Sequence, residues 1–321
     1  MGYGNLGRGV ECALSQNDDM ELAGIFSRRD PATIKPVFDS SRIFHAGKAV
    51  AMKKDIDVMI LCGGSATDLM TQTVQFAADF HVVDSFDTHT RIPEHVAAVD
   101  AVARKNSTLA IVSVGWDPGL FSLNRLFAQS VLPVGKEYTF WGKGVSQGHS
   151  EAVRRIDGVE KAVQYTIPVQ SAVEGARSGS WPAYQTREKH VRECFVVAAA
   201  GADQEKIRSE IVRMPNYFAE YDTTVHFLSR EEFEQKHAGM PHGGFVIRSG
   251  KTGVGLEHNQ SYELSLKLDS NPEFTASVLV AYARAAYKMA RTGACGAKTI
   301  LEIPPHYTSP RELSSLMKDL L

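Results

Sequence analysis

The first residues of the chain carry a glycine pattern that suits binding of nucleotide phosphates. Residues 2–7 read G-Y-G-N-L-G, which fits the fingerprint of a dinucleotide-binding turn. Gly2 would allow a tight turn, Gly4 would let the backbone approach a pyrophosphate, and Gly7 would permit close packing of the next helix. That helix would offer free N–H groups and its positive dipole end to the phosphates. A glycine-rich turn without a ligand is the structural alternative.

The end of the next predicted strand indicates which dinucleotide would bind. NAD-specific sites place an acid about 20 residues after the fingerprint, where it holds the ribose 2′-hydroxyl. This chain has Ser27 at that place, followed by Arg28 and Arg29. A hydroxyl and two guanidinium groups suit a 2′-phosphate, whereas an acid would repel it. The sequence therefore predicts NADP rather than NAD, with two solvated arginines as the alternative and Asp30 as a surface residue.

Two aspartates follow later strands, at the positions where parallel sheets bind ligands. Asp87 lies in D-S-F-D-T-H (84–89) and Asp117 in S-V-G-W-D-P-G (113–119). Ligands of open parallel sheets sit beyond the carboxyl ends of the strands. A pair of carboxylates near a nicotinamide could bind a substrate ammonium group and position it for hydride transfer. Each aspartate alone could instead be a helix N-cap or a turn residue.

The first third of the chain has the alternating elements that would position these residues. Apolar runs predict four buried strands, and helical spacing separates them. This alternation predicts an α/β fold with a doubly wound parallel sheet. The strands are predicted at 20–27, 57–64, 81–87 and 108–115, and the helices at 7–16, 50–54, 66–80 and 92–105.

The pattern changes after about residue 120 and predicts a second domain with a mixed or antiparallel sheet. A strong helix at 275–291 and a loop and strand at 293–303 could return to the first domain. We therefore predict a dinucleotide-binding domain at 1–118, completed by about 272–321, and an α+β domain at 119–271. The strand-like runs of that second domain lie at 137–142, 161–169, 193–200, 223–229 and 261–269, and its helices at 121–131 and 203–213.

Composition excludes several classes of protein. The chain has 321 residues, 43% hydrophobic and 22% charged, with a formal net charge of -2. This charge does not favour a nucleic-acid or anionic-membrane partner. No apolar run approaches the roughly 18 residues that span a bilayer, and no signal peptide is recognisable. The four cysteines are far apart in sequence, so we expect reduced thiols, no structural metal and a cytoplasmic location.

Longer stretches of the chain resemble the meso-diaminopimelate dehydrogenases. The most specific is TFWGKGVSQGHSEAVRRIDGV (139–159), and the matches run almost end to end. The resemblance implies NADP-dependent oxidative deamination of the D-centre of meso-2,6-diaminopimelate to L-2-amino-6-oxopimelate and ammonia. The reaction is reversible and belongs to lysine and cell-wall precursor biosynthesis. It further implies a homodimer with a Rossmann-like domain and a substrate-binding and dimerisation domain. Other matching stretches are GYGNLGRGVE (2–11), GIFSRRD (24–30), LCGGSATD (61–68), VSVGWDPGLFSLNRL (112–126), KAVQYTIP (161–168), GMPHGG (239–244) and LKLDSNPEFTAS (266–277).

The resemblance also implies roles for residues at matching positions. Asp87 and Asp117 resemble the acids that hold the reacting ammonium group and are the candidate catalytic residues. Thr166, Arg192 and His242 resemble the group that binds the reacting-centre carboxylate. The other candidate substrate contacts are Trp141, Gln147 and Gly148 at the reacting end and Asn271 at the distal L-centre. The candidate cofactor contacts are Gly2, Tyr3, Gly4, Asn5, Leu6, Gly7, Ser27, Arg28, Arg29, Gly64, Ser65, Ala66, Thr67, Ser85, Trp116, Pro118 and Gly119.

Several other residues near these motifs have a structural interpretation. The glycine-rich SQGH and GMPHGG segments are typical of loops that fold over a substrate. We expect a structural role for His149 and a functional one for His242. Arg154 and Arg155 are expected on a solvated helix face. Thr88 lies where the resembled family would have an asparagine, which changes none of these assignments.

Members of the resembled family carry an apolar strand before the glycine turn, whereas only Met1 precedes Gly2 here. Each buried aliphatic side chain of such a strand would contribute about 1.5–3 kcal/mol. We therefore expect a start site upstream of Met1, with a truncation as the rival explanation. Two other functions stay open from the sequence: a D-amino-acid dehydrogenase of broader specificity, and a truncated NADP-binding remnant without catalysis.

Overall fold

A computed structural model describes all 321 residues and divides into two units. Unit 1 comprises Met1–Leu123 and Pro272–Leu321, and unit 2 comprises Asn124–Asn271. Each unit has its own sheets and its own hydrophobic clusters.

The first part of unit 1 alternates strands and helices, as the apolar runs predict. Its strands are short. All four residues of the strand at Leu109–Val112 are buried, as expected for a strand covered on both faces. In chain order the elements are α1 (Asn5–Leu14), β1 (Ile25–Ser27), β2 (Ile43–His45), β3 (Val58–Leu61), a π-helical turn (Ser65–Leu69), α2 (Met70–Phe76), β4 (His81–Asp84), α3 (Ile92–Asn106), β5 (Leu109–Val112) and α4 (Leu120–Val131).

Unit 2 contains two sheets. Its elements are β6 (Gly135–Trp141), β7 (Gly144–Val145), α5 (Gln147–Arg154), β8 (Val159–Pro168), α6 (Gln170–Arg177), α7 (Thr186–Lys189), β9 (His190–Ala198), α8 (Gln204–Arg213), β10 (Asp222–Phe227), α9 (Arg230–His237), β11 (His242–Thr252) and β12 (His258–Leu268). One sheet has four strands in the order β10-β9-β8-β7, of which β9 and β10 are parallel and the other pairs antiparallel. The other sheet is antiparallel, in the order β12-β11-β6.

The C-terminal residues complete unit 1. They form α10 (Asn271–Ala290), β13 (Gly296–Thr299) and α11 (Leu313–Leu320). β13 joins a parallel sheet in the order β13-β5-β4-β3. Leu279 of α10 is fully buried in one cluster with Ile111 of β5. The parallel α/β fold is therefore confirmed, and β13 pairs with β5 as a strand that returns to the sheet of unit 1. None of the helices has a stretch long and apolar enough to cross a lipid bilayer.

The structure corrects two predicted loops and one predicted strand. SQGH begins helix α5, and the last residues of GMPHGG begin strand β11. Gly243 has φ +147°, and a Cβ there would lie 2.1 Å from the carbonyl oxygen of Leu266. The glycine is needed because two strands approach closely, which the sequence pattern alone presents as a loop. The strand predicted at 20–27 forms only at Ile25–Ser27.

Met1 and Gly2 join the two parallel sheets of unit 1. The Met1 ammonium group donates to the Ile60 carbonyl at 2.6 Å, and the Met1 carbonyl accepts from the Cys62 N–H at 2.8 Å. The Gly2 N–H donates to the Phe26 carbonyl at 2.8 Å. Burial lowers the pKa of the Met1 ammonium group. A cavity of about 570 Å³, lined by residues of β1, β3 and α10, lies beside these contacts.

Candidate functional site

The glycine turn of unit 1 has the geometry that its sequence predicts. Gly2 has φ +91°, and a Cβ on Gly7 would lie 2.3 Å from the Gly2 carbonyl oxygen. Both positions therefore need glycine. At Gly4, which precedes α1, no atom lies within 4 Å of an added Cβ, and no side chain caps the helix. Open space in front of an uncapped helix N-terminus fits a phosphate group.

A buried carboxylate that the sequence analysis missed anchors this turn. Glu11 of α1 is 2% exposed and accepts hydrogen bonds from the Tyr3 hydroxyl and from Ser41 Oγ, the latter at 2.6 Å. The N–H groups of Val37 and Phe38 also donate to it, at 2.9 and 3.0 Å. Burial favours the protonated acid, but these hydrogen bonds keep the pKa of Glu11 below its usual value. An acid on the buried face of an amphipathic helix is the signal that could have identified it.

The candidate 2′-phosphate residues lie beside the turn. Arg28 is largely exposed and pairs with Asp68 at 2.8 Å. Arg29 donates from its guanidinium group to the Tyr3 carbonyl. Ser27 is 4% exposed, and its hydroxyl accepts the Arg29 N–H at 3.1 Å. Two cations next to the open glycine turn fit NADP, and Asp68 is the group that a bound phosphate would displace from Arg28.

Asp87 and Asp117 follow neighbouring strands of the same sheet. β4 and β5 are paired in register at Val82 with Ala110, and Asp87 and Asp117 lie in the segments after them. Asp87 is exposed and Asp117 is half-buried. The Asp87 N–H donates to Ser65 Oγ at 2.9 Å, which ties this segment to the predicted cofactor loop. The structure thus brings both acids to one edge of unit 1.

Unit 2 contains a buried guanidinium group without a carboxylate partner. Arg192 of β9 is 6% exposed and lies opposite Thr166 of β8, to whose hydroxyl it donates. Its Cζ atom is 3.9 Å from the centroid of the Tyr221 ring. Its Nε is buried without a hydrogen-bond partner, and burial lowers the pKa of the guanidinium group. Because unpaired buried charges are costly, this arrangement is suited to receive an anion.

His242 lies in the other sheet of unit 2, close to strand β7. It is the first residue of β11, and its Cα would be 2.5 Å from a Cβ added to Gly144. Gly144 of β7 pairs with Thr166 of β8. The imidazole Nδ1 of His242 accepts the Gly243 N–H at 2.8 Å. Thr166 and Arg192 therefore lie opposite each other on paired strands, and His242 lies beside β7, which pairs with the strand of Thr166.

Met240 contacts two further predicted substrate residues. Nε2 of Gln147 lies 3.5 Å from the Met240 sulfur, and the Asn271 N–H donates to the Met240 carbonyl at 2.9 Å. Gly148 has no atom within 4 Å of an added Cβ, so the start of α5 is open. Met240 was not singled out by sequence reasoning, because a methionine carries no charge or motif that would mark it.

Two histidines of unit 2, the buried His190 and the half-buried His149, are neutral at pH 7. His190 accepts the Trp141 N–H at 2.9 Å, and its ring stacks on the Trp141 ring with centroids 5.5 Å apart. Burial, with Lys189 and Arg192 nearby, lowers the pKa of His190 to about 3. His149 is bonded to the Ser146 hydroxyl at 2.7 Å, and burial lowers its pKa to about 4. Neutral imidazoles in these positions support the packing of Trp141 and α5.

Comparisons with known proteins identify the family. Residues 115–270 match the model of the diaminopimelic acid dehydrogenase C-terminal domain. The meso-diaminopimelate D-dehydrogenase of Ureibacillus thermosphaericus is 60% identical over 321 residues, covering 100% of this chain and 98% of that protein. A six-substitution mutant of the Clostridium tetani E88 enzyme, solved with DAP, has a TM-score of 0.93 and 52% identity, covering 100% and 98% of the two chains.

An engineered relative adds a cofactor complex. The engineered D-amino acid dehydrogenase bound to NADP⁺ has a TM-score of 0.87 and 44% identity, covering 100% of this chain and 98% of its own. Identity well above 30% over the full length establishes common descent and fold with these proteins. The chain belongs to the meso-diaminopimelate D-dehydrogenase family.

Proposed function

We propose that this chain catalyses the NADP-dependent oxidative deamination of the D-centre of meso-2,6-diaminopimelate, giving L-2-amino-6-oxopimelate and ammonia, in a reversible reaction of lysine and cell-wall precursor synthesis. The observation that carries the proposal is the buried guanidinium group of Arg192, which lies beside Thr166 and whose Nε has no hydrogen-bond partner. A carboxylate is the ligand that such a cation binds bidentately. The relatives named for this reaction supply the chemical identity of that carboxylate.

The substituted residues of the Clostridium tetani mutant support the same substrate site. In chain order they are a glutamine, a threonine, an arginine, a proline, a histidine and an asparagine. The first five occur at the same intervals as Gln147, Thr166, Arg192, Pro241 and His242 of this chain. Five matching residue types at matching spacing favour these positions as the ones facing DAP.

The residues of unit 2 would fix the reacting carboxylate. Arg192 would donate to it through its guanidinium group, and Thr166 and His242 would add further donors. Trp141, Gln147 and Gly148 would line the reacting end. The distal L-centre would be bound by Asn271.

The acids of unit 1 would bind the reacting ammonium group. Asp87 or Asp117 would accept one ammonium proton, because only a neutral amine has an electron pair to share with Cα as its C–H bond breaks. Water then adds to the imine carbon, and ammonia leaves. No protein nucleophile is needed for this chemistry.

The cofactor would lie on unit 1 and supply the hydride acceptor. The turn formed by Gly2, Tyr3, Gly4, Asn5, Leu6 and Gly7 would hold the pyrophosphate, and Ser27, Arg28 and Arg29 the 2′-phosphate. Gly64, Ser65, Ala66, Thr67, Ser85, Trp116, Pro118 and Gly119 would contact its other parts.

The exposed apolar residues of unit 2 support the proposal of a homodimer. Leu126, Phe127, Val131 and Val134 are 40–55% exposed and lie on or just after α4. Contiguous apolar residues of this kind are typical of subunit interfaces. Phe127→Lys should convert a dimeric mass to a monomeric one in light scattering.

The four unpaired cysteines support a cytoplasmic location.

NADP⁺ reduction by the purified chain tests the proposal. We expect turnover with meso-diaminopimelate and none with the LL isomer, because the reacting centre must be D. NAD⁺ should be a poor substitute, and Arg28→Ala should weaken use of NADP⁺ without changing that of NAD⁺. Turnover of D-alanine or D-lysine at comparable rates would favour the broader D-amino-acid dehydrogenase, to which the engineered relative relates. Cofactor binding without any turnover would contradict both.

A further inference from the structure

One buried carboxylate connects the two segments that carry Asp87 and Asp117. Asp84 is the last residue of β4 and is completely buried. Its Oδ1 accepts the Phe86 N–H at 3.1 Å and the Ser113 N–H at 2.8 Å. Phe86 directly precedes Asp87, and Ser113 begins the segment that leads to Asp117. A single oxygen atom therefore holds the backbone of both segments.

The second oxygen of Asp84 is fixed by side chains. Its Oδ2 lies 2.7 Å from the Thr73 hydroxyl and 2.7 Å from Nε2 of His95. His95 is itself completely buried, and its ring lies 4.3 Å from the Phe86 ring, centroid to centroid. These contacts aim Oδ1 at the two backbone N–H groups. They also support Phe86 from the side of α3.

The segment after β5 depends on this carboxylate. Ser113 has φ +59°, a left-handed conformation that is costly for a residue with a Cβ. Its own Oγ is buried without a hydrogen-bond partner, so its side chain does not offset that cost. The backbone of Asp84 contributes a further bond, because its carbonyl accepts the Val114 N–H at 2.9 Å. Asp84 thus stabilises the turn from which the chain proceeds to Asp117.

We propose that Asp84 is a positioning residue for the two candidate catalytic acids and acts through the Phe86 and Ser113 N–H groups. The inference rests on the function proposed above. A charged acceptor binds backbone N–H groups about twice as strongly as a neutral one. Displacement of a reacting group by about 1 Å costs on the order of 100-fold in rate.

Asp84→Asn tests the inference, with Thr73→Val as the matched variant. The asparagine keeps an oxygen near the two N–H groups but removes the charge. We expect kcat with meso-diaminopimelate to fall by about 10- to 100-fold, while the NADP⁺ dissociation constant changes by less than about twofold. The deuterium isotope effect with Cα-deuterated substrate should increase, because hydride transfer becomes slower. Thr73→Val removes one bond to Oδ2 only and should keep kcat within about threefold.

Asp100→Asn is the control for loss of stability alone. Asp100 accepts the Ala297 N–H at 2.8 Å, at the start of β13, and therefore also holds backbone in unit 1. Asp100→Asn should lower the melting temperature without changing the isotope effect. If Asp84→Asn alone does not fold, the same substitution in a Ser113→Gly background gives a second measurement, because glycine tolerates the positive φ.

The outcomes separate the inference from the proposed function. An unchanged kcat and isotope effect in Asp84→Asn would overturn the positioning role and leave the proposed function intact. A loss of activity that only follows the unfolded fraction, as in Asp100→Asn, would overturn it equally. Absence of turnover by the unsubstituted chain would instead contradict the proposed function.

Discussion

Two carboxylates of unit 1 and one guanidinium group of unit 2 are buried in different ways. In unit 1, Glu11 and Asp84 each accept four hydrogen bonds from other groups of the protein. In unit 2, Arg192 contacts Thr166 and Tyr221, but its Nε has no partner. A buried charge with all its hydrogen bonds made stabilises a fold, whereas one left unpaired lowers stability.

This difference distinguishes buried charges that hold the backbone in place from a buried charge that is available to bind a ligand. The carboxylates of unit 1 hold backbone segments in place: Glu11 the segment after the arginines, Asp84 the two strand ends. Arg192 of unit 2 holds no backbone segment, and its Nε is left without a hydrogen-bond partner and so can bind a ligand. Replacing Glu11 should therefore cost stability, replacing Asp84 should cost turnover through the segments it positions, and replacing Arg192 should cost substrate binding.

Arg192→Met should have the largest effect. Losing one partner of a buried charged pair costs about 2–5 kcal/mol, so kcat/KM for meso-diaminopimelate should fall by about 30- to 5,000-fold. The melting temperature should not fall, because an unpaired buried charge is replaced by an apolar chain of similar length. Steady-state kinetics and thermal unfolding measure the two quantities.

The matched control for this substitution is Arg154→Met. Arg154 lies on α5 and pairs with Glu151 on an exposed helix face. It should leave kcat/KM unchanged. A marked loss of stability in Arg192→Met would mean that Arg192 is a scaffold residue, and the contrast between the units would fail.

Glu11→Gln should show the opposite behaviour. A neutral amide cannot accept all four hydrogen bonds, and each buried donor left without a partner costs about 1–3 kcal/mol. We expect the free energy of unfolding to fall by about 2–3 kcal/mol in urea titrations. Exposed Glu21→Gln is the control and should change it little. Full stability of Glu11→Gln would show that the network is not needed to hold the turn.

The sequence predicts the sheet of unit 1 because its apolar runs are continuous and separated by helical spacing. β3, β4 and β5 all lie within predicted runs. β2 escapes prediction because Ile43–His45 is three residues long and only partly buried. β11 escapes because its first glycines make it look like a loop. In both cases the deciding factor is contact with a neighbouring strand, which no local pattern contains.

The residues of the candidate site also fall into two groups: those that a local sequence pattern identifies and those whose roles depend on contacts with distant elements. Residues that follow predicted strands, such as Asp87 and Asp117, can be proposed from the sequence, because parallel strands place their carboxyl ends together. Glu11 and Asp84 could not be assigned their roles, since their partners lie in other elements. Ser113, for example, is 29 residues from Asp84 along the chain. The unpaired state of Arg192 likewise depends on its packing and not on its motif.

The free energy of unfolding should fall as the solution becomes more acidic, and His190 of unit 2 should contribute to this fall. The pKa of His190 is lowered to about 3 in the folded chain, against about 6.5 when unfolded. Between these pH values the unfolded state binds a proton that the folded state does not, so stability is lost as pH falls below about 6.5. His190→Gln, which keeps an acceptor for the Trp141 N–H, should reduce the slope by about 1.4 kcal/mol per pH unit.

Urea titrations at several pH values between about 4.5 and 7.5 measure that slope. His258→Gln is the control. It removes one imidazole, as His190→Gln does, but His258 is exposed. An unchanged slope in His190→Gln would contradict the burial of a neutral imidazole beneath Trp141.

Tyr221 should give the smallest effect and the sharpest test of how Arg192 is held. The ring face lies 3.9 Å from the guanidinium carbon, and a desolvated cation–π contact contributes about 0.5–2 kcal/mol. Tyr221→Leu should therefore raise the KM for meso-diaminopimelate by about 2- to 30-fold with little change in kcat. Tyr221→Phe keeps the ring and should stay within about twofold. If both variants raise KM equally, the hydroxyl rather than the ring face holds the cation. If neither variant raises KM, Tyr221 does not hold the guanidinium group, and Thr166 alone orients Arg192.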